Sequence, residues 1–203
     1  MPRLLLIRHG ETDLNAQGRF QGHSDPPLND RGRRQAELIA QELRDEKFDA
    51  VFSSDLLRAQ ETAEIVVRNR DVPIRRTNEL RELSFGVWEE LTYGEIQQKY
   101  PEEYRRWQTD PAFNPPPGGE SLVEIGHRLS LFFDPLRERG DQETILIATH
   151  GGPIRLMVCR AFGLPASDYR RIIVGPGSLS EIWWYSGVFT LACLNCTAAK
   201  SDG

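Results

Sequence analysis

Two aliphatic runs, Leu4-Leu5-Leu6-Ile7 and Ile145-Leu146-Ile147-Ala148, lack the polar alternation of a half-solvated strand. Uninterrupted runs of this length predict strands buried on both faces, as in a parallel sheet covered by helices on both sides. Ala50 to Ser53 predicts another such strand, and Pro73 to Arg76 a short extended segment. Between these runs the apolar spacing becomes helical. Ala36, Ile39, Ala40 and Leu43 follow Asn29 and Asp30, either of which can cap a helix. A second helix is predicted to start at Ser54 or Asp55, with Leu56, Ala59, Ala63, Val66 and Val67 on its buried side. Ser121 and Glu124 have capping-box spacing ahead of the stripe Leu122, Ile125, Leu129 and Phe132 or Phe133. Pro153 suits the first turn of a helix carrying Ile154, Met157, Val158 and Ala161. Leu179–Tyr185 and Val188–Leu194, on either side of Ser186-Gly187, predict a closing hairpin. Strands alternating with helices in this order predict an α/β fold.

The pattern breaks between Trp88 and Pro117, where aromatic and charged residues are interspersed with Tyr100-Pro101, Asp110-Pro111 and Pro115-Pro116-Pro117-Gly118-Gly119. Such a stretch suits short helices and a semi-rigid loop lying over the sheet better than a linker. The expectation is one domain over residues 1–203, with a small helical lid at about 88–118.

Length and charge are compatible with that organisation. A single domain of 203 residues buries roughly 70% of its unfolded surface without covalent staples. The net charge of −5 argues against a general nucleic-acid surface or an anionic membrane as partner. The apolar run between Arg3 and Arg8 is too short for a signal-peptide core or a membrane span, so a cytoplasmic protein is expected. The oligomeric state stays open, a homodimer included. Cys159, Cys193 and Cys196 do not form a disulfide framework, and reduced, buried or tail thiols are expected. No Cys/His pairs at zinc spacing, EF-hand loop or P-loop lysine occur, so neither a metal nor a cofactor is indicated.

The chemistry concentrates where the two aliphatic runs end. Each closes on a histidine followed by glycine, His9-Gly10 and His150-Gly151. Ligands collect at the carboxyl edge of parallel strands, so two imidazoles far apart in sequence can meet at one site. The motif Arg8-His9-Gly10-Glu11-Thr12, with Asn15 behind it, resembles the signature of the histidine phosphatase superfamily, the phosphoglycerate mutase-like proteins. Further resemblance lies in Arg19-Phe20-Gln21-Gly22, Leu28 to Gln35, Ser53 to Ala59, Leu80 to Gly86 and His150-Gly151-Gly152.

The resemblance implies a three-layer α/β/α sandwich with a mostly parallel central sheet. It also implies a metal-independent phosphoric monoester hydrolase acting on a small phosphorylated metabolite. His9 would become a phosphohistidine, and Glu82 would protonate the leaving group and then activate water. Arg8, Arg58 and His150 would carry the phosphoryl charge, a task for which arginine's planar fork of donors is well matched. The first turn of the Arg58 helix would add backbone donors. Asn15, Gln21, Gly22 and Gly151 would contact phosphate or substrate. His9 is expected to be neutral and His150 charged or hydrogen-bonding, with different pKa values. Glu11, Glu89 and Glu90 are weaker candidates for the acid, and His127 reads as an exposed helix residue.

The chain resembles the compact phosphatases of that family, a branch with broad-specificity, α-ribazole and metal-independent phosphoserine phosphatases. Glu90 departs from the glycine common in that branch after Trp-Glu. Phosphoglycerate mutase-type transfer is the alternative, and a noncatalytic phosphate-binding role is disfavoured by the set of residues present. Arg81, Arg105, Arg106, Tyr93 and Trp107 are candidates for an outer pocket.

Overall fold

A computed structural model describes residues 2–136, 138–139, 142–185 and 188–197. Six strands form one sheet in the order β3-β2-β4-β1-β5-β6. They are β1 (Arg3–Arg8), β2 (Ala50–Ser54), β3 (Ile74–Thr77), β4 (Thr144–Thr149), β5 (Leu179–Tyr185) and β6 (Val188–Cys196). The first four are mutually parallel, and β5 and β6 add an antiparallel edge beside β1. The sheet is therefore mostly parallel, as expected. The Ser186-Gly187 turn lies outside the described residues.

Successive side chains of β1 point to opposite faces. Leu5 and Ile7 enter one core with Val51, Leu146, Ile39 and Val66, the last two from α2 (Asp30–Glu42) and α3 (Leu57–Val67). Leu4 and Leu6 enter the other, beneath α6 (Leu122–Leu136) and α7 (Gly151–Ala161), with Ile145, Ile125 and Ile154. Helices thus cover both faces, giving three layers. The intervening helices are α1 (Asp13–Ala16), α4 (Tyr93–Lys99) and α5 (Pro101–Thr109). The last two gather Trp88, Ile96, Tyr104 and Trp107 into a third apolar cluster, packed with Phe20 and Phe85, where the lid was expected.

Local signals explain most element ends. Asn29 accepts from the Gly32 amide at 2.9 Å, so the cap is Asn29 rather than Asp30. The Ser121–Glu124 capping box forms reciprocally. Helix α3 departs from expectation: it starts at Leu57 with no side-chain cap. Asp55 is held by Arg81 through bonds of 2.7 and 2.6 Å, and Ser54 Oγ lies 2.8 Å from His150 Nε2, so both potential caps serve tertiary contacts. The thiol expectation is also corrected. Cys193 and Cys196 are disulfide-bonded, and only Cys159 is a free thiol, on the buried face of α7. Residues three apart on a regular strand face opposite ways, but Asn195 takes φ 56° and the β5–β6 register shifts, which brings the two sulfurs together. Among the described residues no helix is long and apolar enough to cross a membrane.

Candidate active site

The pairing register brings the two histidines together. Strands β1 and β4 are parallel neighbours with Arg8 opposite Thr149, so the residues that follow, His9 and His150, leave the same edge side by side. The His9 amide continues the ladder to Thr149 O at 3.0 Å, and the two rings meet edge-on with centroids 5.1 Å apart. The next long helix after β1 is α2, while β4 leads into α7 on the opposite face. The crevice is therefore a topological switch point.

His9 is buried and oriented at both nitrogens. Its Nδ1 lies 2.7 Å from its neighbour Gly10 O, which requires the proton on Nδ1 and leaves a lone pair on Nε2. Arg58 Nε donates to that lone pair at 3.3 Å. The Arg58 guanidinium, fully buried, also donates to Ser24 O and Gly22 O, each at 2.8 Å. Gly22 occupies φ 54°, and a Cβ there would lie 2.2 Å from Glu89 Oε1. That position therefore needs glycine both for its backbone and for its space. Glu89 ties this loop to the next by accepting from the amides of His23, Ser24 and Phe85 at 2.9, 2.8 and 3.1 Å.

Burial, reinforced by Arg58, pushes both His9 and His150 well below the usual imidazole range. The two histidines are thus shifted in the same direction, contrary to the expected divergence, and both are neutral at neutral pH. Desolvation also draws Arg8 and Arg58 down to about 10, which leaves both charged. Arg8 Nη1 donates to Val174 O at 2.5 Å. Among the described residues, Arg8 Nε and His150 Nδ1 are buried with no hydrogen-bond partner. Two orphaned polar atoms beside a buried histidine pair are costly unless an incoming ligand satisfies them.

Glu82 stands at the far side of Arg8. Its carboxyl oxygens accept from Leu83 N at 2.9 Å and from Gly152 N, in the first turn of α7, at 3.1 and 3.2 Å. A Cβ on Gly152 would fall 2.2 Å from Glu82 Oε1, whereas one on Gly151 would meet nothing closer than the Arg8 side chain at 3.5 Å. The loop beneath Glu82 is clasped by Arg128, which donates to the carbonyls of Glu79, Arg81 and Glu82 at 2.8, 3.0 and 3.1 Å and pairs with Glu120 at 2.9 Å. His23 Nε2 meets the same Glu82 carbonyl at 3.0 Å.

Arg8, His9, Asn15, Gln21, Gly22, Arg58 and Glu82 line one cavity of about 220 Å³. An adjoining one of about 330 Å³ shares Arg8 and Glu82 and adds Gly151, Trp107, Tyr169, Arg155 and Arg170. Asn15 and Gln21 also have structural partners: Asn15 Oδ1 accepts from Thr12 N at 3.2 Å, and Gln21 Oε1 from Thr12 Oγ1 at 2.8 Å. A separate apolar cavity of about 280 Å³ is lined by Leu122, Leu129, Phe133, Met157 and Phe189. Among the described residues its one charged lining residue, Arg160, pairs with Asp134 at 2.6 Å.

Several expectations are corrected here. The first amide of the Arg58 helix, Leu57 N, donates to Asp25 at 2.6 Å rather than into the cavity. Arg81, Arg105 and Arg106 pair with Asp55, Glu102 and Glu103 and line neither cavity. Of the proposed outer-pocket residues, Tyr93 and Trp107 are in place. Glu11 faces Asn29 and Arg31, and Glu89 holds backbone amides, so neither reaches the cavity. His127 is exposed on α6, as read. Sequence reading missed Arg128, Tyr169, Arg155 and Arg170. Only Arg155 carried a signal, since it lies one helical turn beyond Gly151.

A parallel-sheet edge here gathers two buried histidines, two arginines and a carboxyl group, the set expected of a phosphoryl-transfer protein with a histidine centre. The chain belongs to the histidine phosphatase superfamily (branch 1), whose family model matches residues 4–197. It is 36% identical over 196 residues to the adenosylcobalamin/α-ribazole phosphatase of Salmonella typhimurium, covering 97% of each chain. It is also 36% identical over 169 residues to phosphoserine phosphatase 1 of Hydrogenobacter thermophilus, covering 83% of this chain and 80% of that one. The crystal structure of α-ribazole phosphatase from Shigella flexneri superposes with a TM-score of 0.89 at 36% identity, covering 99% of this chain and 100% of the other. Fold and family thus stand as the sequence implied.

Proposed function

We propose that this protein hydrolyses phosphomonoesters of small metabolites through a phosphohistidine on His9. The observation that carries this reading is the orientation of His9, whose Nδ1 is pinned by Gly10 O while its Nε2 faces Arg58 in the cavity that also holds Glu82. The substrate phosphoryl group displaces the Arg58 contact and takes up the orphaned Arg8 Nε and His150 Nδ1 donors. His150 then carries its proton on Nδ1, with Nε2 accepting from Ser54 Oγ. A dianion beside this ring favours its protonation, so His150 gains charge as the phosphoryl group arrives.

The His9 Nε2 lone pair attacks phosphorus, the ester P–O bond breaks, and the departing oxygen takes a proton from the Glu82 carboxyl group. Glu82, now a carboxylate, removes a proton from water as the water oxygen attacks phosphorus. The P–N bond breaks, its electron pair returns to His9, and phosphate leaves with Glu82 again protonated. Asn15, Gln21, Gly22 and Gly151 shape the walls around the phosphoryl group and its ester oxygen. We further read the chain as one domain in which the helical segment at 88–118 roofs the leaving-group side.

Phosphorus NMR of the protein with several phosphomonoesters in chelator-treated buffer tests this function. Inorganic phosphate as the sole phosphorus product is expected. Efficient interconversion of 2- and 3-phosphoglycerate without phosphate release would establish the mutase alternative instead.

A further inference from the structure

The cavity on the far side of Glu82 contains a cation with which no described residue pairs. Arg155 lies on α7, one turn after Gly151, and its side chain lines this chamber beside Arg8 and Glu82. Its Nε is fully sequestered without a hydrogen-bond partner, and no described residue forms a hydrogen bond or ion pair with it. A half-buried guanidinium of this kind is unusual, because removing its charge from water is unfavourable unless an anion faces it.

The transferred phosphoryl group does not account for it. A phosphomonoester dianion is matched in charge by Arg8 and Arg58, which line the chamber holding His9, and Arg155 is absent from that chamber. Glu82 borders both chambers, so the ester oxygen it protonates sits at their junction and Arg155 faces the alcohol part of the substrate. Of the other cations lining this chamber, Arg8 also lines the phosphoryl chamber, and Arg170 stacks on Trp107 at 5.5 Å and donates to Gln108 O at 2.8 Å. A guanidinium with no partner among the described residues presents a planar fork of donors, the geometry that receives a carboxylate in a bidentate pair.

Resting on the phosphatase reading above, we propose that Arg155 binds a carboxylate carried by the leaving group, making phosphate esters of small hydroxy acids the preferred substrates. Arg155 is then a specificity residue, touching the part of the substrate that is not transferred. The phosphoryl chemistry is common to all substrates, and this contact selects among them.

The test uses two matched pairs that differ chiefly in the carboxylate: phosphoserine against phosphoethanolamine, and 3-phosphoglycerate against glycerol 3-phosphate. For the wild-type protein, kcat/KM is expected to favour the carboxylated member of each pair by about 10- to 100-fold, the range of one charge-assisted hydrogen-bonded contact. In Arg155→Met that preference should collapse to within about 3-fold, chiefly through KM of the acidic ester. Arg155→Lys should retain part of the preference, because the charge remains while the fork is lost. Equal kcat/KM within both pairs for the wild type would overturn the proposal. So would an equal loss for both members in Arg155→Met, which would place Arg155 on the phosphoryl group itself. Failure of all four esters together with p-nitrophenyl phosphate would overturn the phosphatase reading and this proposal with it, an outcome distinct from turnover without carboxylate preference.

Discussion

Arg58 Nε donates to His9 Nε2 at 3.3 Å, so the resting site holds that lone pair against a guanidinium, while the other two nitrogens of that group bind the carbonyls of Gly22 and Ser24. The proposed nucleophile, the proposed phosphate-binding cation and the loop are thus joined through one fully buried side chain. Arg58→Lys cannot reproduce three bonds fixed in one plane. Both Arg58→Lys and Arg58→Ala should lower kcat/KM by about 10²–10³, the scale of losing one charged transition-state contact. Added guanidinium should partly restore Arg58→Ala and leave Arg58→Lys unaffected. Full activity in Arg58→Lys would show that charge alone is required.

The glycines after His150 should differ in their tolerance. A Cβ on Gly152 would collide with Glu82 at 2.2 Å and with Leu83 Cδ1 at 2.8 Å, displacing the carboxylate that the Gly152 amide positions. Gly152→Ala should therefore lose about 10²-fold in kcat/KM for an alkyl phosphate, within the range for general-acid catalysis. It should lose much less for p-nitrophenyl phosphate, whose leaving group needs little protonation. Gly151→Ala should lose less than Gly152→Ala on the alkyl ester. The reverse order would remove Glu82 from the acid role.

Glu90 occupies φ 65° with its side chain exposed, its amide donating to Phe20 O at 2.6 Å and its carbonyl accepting from Arg19 at 2.7 Å. The backbone contacts require this left-handed conformation, and the side chain contributes none of them. Glu90→Gly should stabilise the protein by about 1 kcal/mol by relieving that strain. The urea midpoint checks this, with no increase as the contrary result. The departure from the branch's usual glycine is thus a cost in stability, at a position away from the reacting atoms.

Because burial lowers the pKa of His9 and His150, the unfolded chain takes up protons below about pH 6.5 that the folded site refuses. Stability is therefore fully retained above that pH and falls as the pH drops toward the folded values, by up to about 1.4 kcal/mol per histidine per pH unit. Urea titrations between pH 7.5 and 5.5 should show this slope in the free protein. A shallower slope is expected in His150→Asn, and also with bound phosphate, which favours the charged imidazole. Identical slopes in all three would contradict the assignment.

How far the sequence could be read follows from how local each signal was. His9 and His150 could be placed together because each ends an aliphatic run, and parallel strands deliver such ends to one edge. The Ser121–Glu124 and Pro153 helix starts were equally local. The start of α3 is not legible locally, because the capping side chains Ser54 and Asp55 bind His150 and Arg81, partners distant in sequence. The Arg128 clasp and the freedom of Arg155 depend on loops that approach only in the folded chain. The Cys193–Cys196 bond depends on a strand irregularity at Asn195 with no composition marker.

Direct trapping of the intermediate bears most immediately on the central claim that His9 is phosphorylated. Rapid quench with phosphorus-labelled substrate in chelator-treated buffer should yield an acid-labile, base-stable phosphoenzyme. Its label should map to His9, and none should form in His9→Ala. Accumulation of the same labelled species in His9→Ala would contradict the account, as would wild-type turnover that proceeds with inversion at phosphorus, the mark of direct attack by water.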